Sequence, residues 1–401
     1  MSDEIVNYPI VEAARLEVDP IYRELQERGP IKVKLPYGEP CWLATRYEDV
    51  RSVYGDRRFG RRLGLDHDSP GLWPGALAKD PTLLLNMDPP EHTRLRRLAS
   101  GAFSPNRFKA LEPFIQQLVD SLLDDMVDAE PPVDFVATFS TQLPVRVLAN
   151  MTGVPQDEAN KFRGLVEVTS AMDSSAGERA KAAENLRGEV LAMIEARRAQ
   201  PTDDLLSVLV SARDEGDRLS EEELVNLCLS LWHGGFKTTL MQLGTTLFTL
   251  LTHPRHWQEL LDDDSLLSHA IEELFRWIPS FKYGVPFVRW ASEDVELSGG
   301  VVARAGEPVL PEFAVANRDE SVFERPEAFD PARERNPHLA FGFGAHYCVG
   351  ANLARLEARI ALEALLAATS GMERSSAEEL PLVPSPVFRA VSSLPVRLFP
   401  A

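Results

Sequence analysis

One cysteine sits among glycines near the C-terminus, in Phe341-Gly342-Phe343-Gly344-Ala345-His346-Tyr347-Cys348-Val349-Gly350, and the segment runs straight into a helical pattern from Ala351 to Ala368. Glycines let a loop turn tightly and let a flat ligand come close to the backbone. The helix behind the loop aims unpaired N–H groups and a partial positive charge at the sulfur. That setting favours thiolate, the form that binds metal. His346, two positions earlier, suits an anionic group on the same ligand. A thiol nucleophile would need a base and an oxyanion hole, and beyond His346 nothing supports acyl transfer. The bland reading of a lone cysteine is a small buried hydrophobe. Cys41, beside Trp42, and Cys228, in an apolar run, fit it.

Other residues have spacing that bears on chemistry. Glu273 and Arg276 are three apart in a helical run and share a face. His92 and Arg96, after Pro89-Pro90, are four apart on one face. Carboxylates on a ligand want Arg, with its planar fork, or His.

The elements that must position these residues are mostly helical. Pro20 to Arg28 reads as a helix, and Ile31–Leu35 with Cys41–Thr45 reads as a hairpin around Pro36-Tyr37-Gly38-Glu39. Residues 64–88 are rich in Gly and Pro with scattered apolar residues, among them Trp73, Leu77 and Leu83. Ser220 with Glu223 forms a capping-box start, and one long helix is predicted from there to Thr252, with Pro254 as its stop. At ~1.5 Å per residue it would run roughly 50 Å. Its middle holds Gly234-Gly235, at a cost of ~1 kcal/mol per glycine against Ala. That suits either a packing notch or a groove for a ligand. Short strands follow from Val285 to about Pro311, then a Pro- and charge-rich coil over 321–340, and a closing hairpin over Val383 to Pro400.

The chain has 401 residues, 44 % of them hydrophobic, and a formal net charge of −19. Such an acidic chain is a poor general binder of nucleic acid or anionic membrane. No run reaches the roughly 20 apolar residues that span a bilayer, and Met1 to Asp19 lacks the pattern of a signal peptide. Three cysteines with no evident pairing suit a reducing cytoplasm. No linker-like segment divides the chain, so 1–401 is expected as one domain.

The Phe341–Gly350 segment, read as Phe, two residues, Gly, one residue, Arg or His, one residue, Cys, one residue, Gly, resembles the haem-binding loop of the cytochromes P450, with every fixed position filled. The resemblance extends over the whole chain. It implies the P450 fold, mainly α-helical (α+β) with a smaller β-rich region. It implies haem b, iron protoporphyrin IX, with Cys348 as the metal ligand and Phe341 and Gly350 as part of the cradle. His92, Arg96, Arg289 and His346 match the propionate donors. Glu273, Arg276 and Arg333 match the structural charge triad. Gly234-Gly235-Phe236-Lys237-Thr238 aligns with the oxygen-activation segment, which places Gly235, Lys237 and Thr238 at the chemistry. The family usually has an acid where Lys237 stands.

The function implied by the resemblance is that of a cytoplasmic monooxygenase, monomeric, that oxidises an apolar or mid-sized natural product, as in antibiotic biosynthesis. Electrons would come from NAD(P)H through ferredoxin and ferredoxin reductase, docking at a basic patch on the cysteine face. The alternatives are a peroxide-dependent peroxygenase of the same fold and a non-enzymatic haem-binding sensor. The small-molecule pocket is expected to use Leu83, Leu231, Gly234, Phe281, Val285 and Phe388, with Lys282 and Arg389 as polar anchors.

Overall fold

The computed structural model describes residues 5–11, 16–72, 80–171, 174–214, 219–278, 280–376, 381–385 and 387–400. Trp73 and Leu77 lie outside them. Helices dominate between Glu91 and Trp277 and again at Ala351–Ala368. The alternating Ile31–Lys34 and Cys41–Ala44 pair antiparallel, Lys32 opposite Trp42, as a hairpin. It joins a six-stranded sheet in the order Val6–Asn7, Ile31–Lys34, Cys41–Ala44, Pro308–Pro311, Arg289–Ala291, Phe59–Gly60. Leu43, Val309, Leu310 and Ala291 in this sheet are fully buried.

The helical side has its own apolar core. Ala351–Ala368 buries Leu353, Ile360, Ala361, Leu362 and Leu365 and packs on Pro105–Asp128. The i, i+3, i+4 recurrence of small and aliphatic residues gives the helix that face. Among the described residues no helix is long and apolar enough to cross a membrane.

Two sequence expectations are corrected. The long helix is not continuous: it divides into Glu221–Gly235 and Lys237–Thr252, with Phe236 at φ −105° and ψ −42° between them. The hydroxyls of Thr238 and Thr239 donate to the Gly234 and Gly235 carbonyls at 3.0 and 3.4 Å. They compete for acceptors of the helical ladder where two glycines already weaken it. The capping box does form, with Ser220 and Glu223 exchanging both bonds. The closing hairpin is also different. The last strand, Pro395–Pro400, pairs with Thr369–Arg374 and with Val133–Asp134, while among the described residues of 383–394 only isolated bridges form, Phe388 to Phe281 and Val391 to Leu382. Pairing partners distant in sequence were not visible in local alternation.

Candidate active site

The cysteine loop has one backbone solution. Gly342 and Gly344 take φ of 72° and 70°. A Cβ at Gly344 would lie 2.5 Å from the Tyr54 carbonyl oxygen, so no other residue fits there. The Cys348 N–H closes the loop on the Phe341 carbonyl at 2.9 Å. The Phe341 ring rests on Phe275, with centroids 4.7 Å apart, and the Arg355 guanidinium lies 4.6 Å from its centre. Arg355 in turn holds Glu272 through bonds of 2.6 and 2.8 Å.

Cys348 is solvent-accessible, yet protein surrounds it closely enough that burial pushes its thiol up. That combination belongs to a side chain lining an internal recess. Backbone N–H groups of Gly350 and Ala351, with Arg96 and Arg355, pull the other way. With no metal bound, desolvation outweighs these donors. A coordinated metal reverses the balance, because a ligating thiol gives up its proton.

Next to the loop the fold gathers arginines and histidines. The His92 and His346 rings stand 4.2 Å apart. Arg289 is 2 % exposed, and its guanidinium carbon lies 5.5 Å from the Tyr54 ring centre. Arg96 donates to the Tyr347 carbonyl. Arg61, which carried no signal in the sequence, donates to the carbonyls of Pro286 and Val288 at 2.9 and 2.8 Å and to Asn86 Oδ1 at 2.6 Å. Burial, with Arg289 and His92 beside it, pulls His346 down to about 2. Burial and Arg289 bring Arg61 to about 9. His92 Nε2 is buried with no partner.

This donor set fits a haem. Arg61 and Arg289 have the Asp88 carboxylate nearby, while the His92 nitrogen has no partner, and two propionates would supply acceptors for the arginines and histidines together. Among the described residues no three His, Cys, Asp or Glu side chains gather as a metal site.

On the broken helix, the two glycines differ. A Cβ at Gly235 would meet Leu148 Cδ2 at 3.2 Å, so it is a packing notch. One at Gly234 would meet nothing within 4 Å. Of the two, only Gly234 borders open space. Thr238 follows one turn later. Phe281 and Phe388 pack with centroids 5.2 Å apart, and Leu83 is half-buried beside the Leu84–Asn86 turn. Leu231 and Val285, both 8 % exposed, sit within buried apolar clusters. Arg389 is no free anchor: it is 4 % exposed and donates to the carbonyls of Glu17 at 2.7 Å and of Leu16 and Lys282 at 3.3 Å. Lys282 itself is engaged.

The charge triad assembles. Arg276 meets Glu273 through two bonds of 2.7 Å, and Arg333 Nε reaches the same carboxylate at 2.9 Å. Arg61 and Tyr54 had no local signal, since each acquires its place only through distant partners.

A mainly helical fold with a side sheet, a thiol in a glycine loop and a cluster of arginines and histidines beside it fit a haem-binding class of protein. Comparison with known proteins agrees. A family model described as Cytochrome P450 matches residues 162–370. The chain is 43 % identical over 367 residues to the mycinamicin IV hydroxylase/epoxidase of Micromonospora griseorubida, covering 91 % of each. It is 40 % identical to the nocardicin C N-oxygenase of Nocardia uniformis subsp. tsuyamanensis, covering 97 % of this chain and 98 % of that one. The crystal structure of the LnmA cytochrome P450 hydroxylase from the leinamycin pathway of Streptomyces atroolivaceus S-140 superposes with a TM-score of 0.91 at 40 % identity, over 98 % of this chain and all of that one. This chain belongs to the cytochrome P450 family and is an oxidoreductase of the monooxygenase type.

Proposed function

We propose that the chain holds haem b through Cys348 and hydroxylates, epoxidises or otherwise oxidises an apolar or mid-sized secondary metabolite. The observation that carries the reading is the Cys348 thiol beside packed arginines and histidines, among them His92, whose buried Nε2 has no partner. The relatives' names, which mention mycinamicin and nocardicin C, support a secondary-metabolite substrate.

Haem would supply oxygen activation, helped by electron density from its thiolate ligand. The protein's part is binding, orientation and proton control. Gly350 and Ala351 N–H groups, Arg96 and Arg355 stabilise negative charge on Cys348. His92, His346, Arg96 and Arg289 take the propionates. Gly234 leaves volume beside the broken helix. Thr238 Oγ1, now donating to the Gly234 carbonyl, is the hydroxyl that holds and passes a proton. Leu83, Phe281 and Phe388 form apolar wall.

Electrons come from NAD(P)H through ferredoxin and its reductase. A surface groove beside the cysteine helix is lined by Lys109, Arg355 and Arg359, with Arg355 and Arg359 paired to Glu272 and Glu112 in the same groove. The enzyme acts as a cytoplasmic monomer, one domain over 1–401.

The test is the reduced protein under carbon monoxide. It should show the red-shifted Soret band of thiolate-ligated haem, and Cys348→Ser should lose it. A Cys348→Ala protein that keeps the band overturns the assignment. Lys237, where the family usually has an acid, favours one second reading: a peroxide-driven enzyme. Peroxide-supported turnover exceeding ferredoxin-supported turnover would establish it.

A further inference from the structure

Lys237 begins the Lys237–Thr252 helix, one residue before Thr238. Its Nζ lies 5.5 Å from the centre of the Phe388 ring, and Phe388 packs on Phe281. The side chain is half-buried and runs toward this aromatic pair.

The ammonium lacks a counter-charge. Among the described residues it makes the ring contact but no hydrogen bond or ion pair. Glu167 acts on it from a distance, but Arg163 already holds that carboxylate through bonds of 3.0 and 3.2 Å. An ammonium has three donors and no acceptor, and an aromatic face satisfies them poorly once water is displaced.

Its neighbours on the helix do not fill the gap. One turn back, His233 is occupied: Nδ1 meets the Leu229 carbonyl at 2.8 Å and Nε2 meets Thr169 Oγ1 at 3.0 Å. Gly234, between them, borders open space. A cation without an acceptor thus lies over one of two packed aromatic rings, three residues along the chain from a glycine that borders open space.

We propose that Lys237 anchors a carboxylate on the substrate while the apolar body of the substrate lies against Phe281 and Phe388. This rests on the monooxygenase reading and adds the substrate class: an amphiphilic organic acid. It makes Lys237 a binding residue and removes it from proton delivery.

The experiment uses the haem-loaded protein and ω-phenylalkanoates from 4-phenylbutyrate to 8-phenyloctanoate, each against the alcohol of equal length. Binding is read by calorimetry and by the ferric absorption shift, for wild type, Lys237→Met and Lys237→Arg. The best-fitting acid should bind wild type about tenfold or more tighter than its alcohol, the weight of one charge-assisted hydrogen bond. Lys237→Met should erase the preference without weakening the alcohol, and Lys237→Arg should keep it. Absence of acid binding or of acid preference in wild type, or a preference that survives Lys237→Met, overturns the proposal. The carbon monoxide band, recorded on each protein, separates the two readings. An intact band without acid preference sinks the lysine anchor alone, and a missing band in wild type sinks the haem-thiolate reading itself.

Discussion

Glu273 and Arg276, one helical turn apart and both without exposed side-chain surface, meet through paired bonds of 2.7 Å. The same carboxylate accepts from Arg333 Nε, from Asn336 Nδ2 at 3.1 Å and from the Asp330 N–H at 3.0 Å. Arg276 also donates to the Asn317 and Pro326 carbonyls. The pair thus fastens the Leu267–Trp277 helix to the coil that leads into the cysteine loop.

Removing one partner strands a buried charge. Arg276→Ala or Glu273→Ala should lower stability by about 3–5 kcal/mol, read as a fall in denaturation midpoint and as lost haem. A variant with unchanged melting would show that the network contributes little.

The cation cluster should separate retention from folding. Arg96→Ala and Arg289→Ala should each weaken haem retention by about 1.5–3 kcal/mol, the value of a charge-assisted bond. Arg61→Ala should destabilise the haem-free protein too, because it leaves the Pro286 and Val288 carbonyls without their donor. Haem transfer to apomyoglobin and melting of both forms distinguish these effects. Equal behaviour of all three variants would merge the roles.

Thr238 should govern coupling. Thr238→Ala should lower product per NAD(P)H and raise peroxide release while the carbon monoxide band stays. Lys237→Ala should change coupling less, since its effect falls on affinity. If Lys237→Ala abolishes product while Thr238→Ala is harmless, the proton assignment is wrong.

Glu357, on the cysteine helix, is 1 % exposed, and its Oε2 has no partner. Burial raises its carboxyl from 4.5 to about 8. Between those two values the folded state keeps a proton that the unfolded state has released. Its stabilising contribution is therefore complete below the lower value and is lost as pH rises toward the upper one. Glu357→Gln should leave stability near pH 5 little changed and raise it at pH 8 by about 2–4 kcal/mol. Melting at the two pH values checks this; parallel curves for both proteins would refute it.

The sequence by itself determined what local chemistry can specify. The glycine loop at Cys348, the helix after it, the Ser220–Glu223 cap and the Glu273–Arg276 spacing all depend on neighbours within a few residues. For that reason the family and the core of the site were legible. Tertiary structure decided what depends on distant partners. Gly235 and Gly234 look alike in sequence, yet one meets Leu148 and the other open space. Arg389 looked free until carbonyls near the N-terminus claimed it, and Arg61 looked ordinary until Asn86 and Val288 surrounded it. Lys237 became a candidate anchor only where the chain returned to set Phe388 before it. Burial and pairing are properties of packed neighbours, and packing brings together residues whose order along the chain gives no sign of contact.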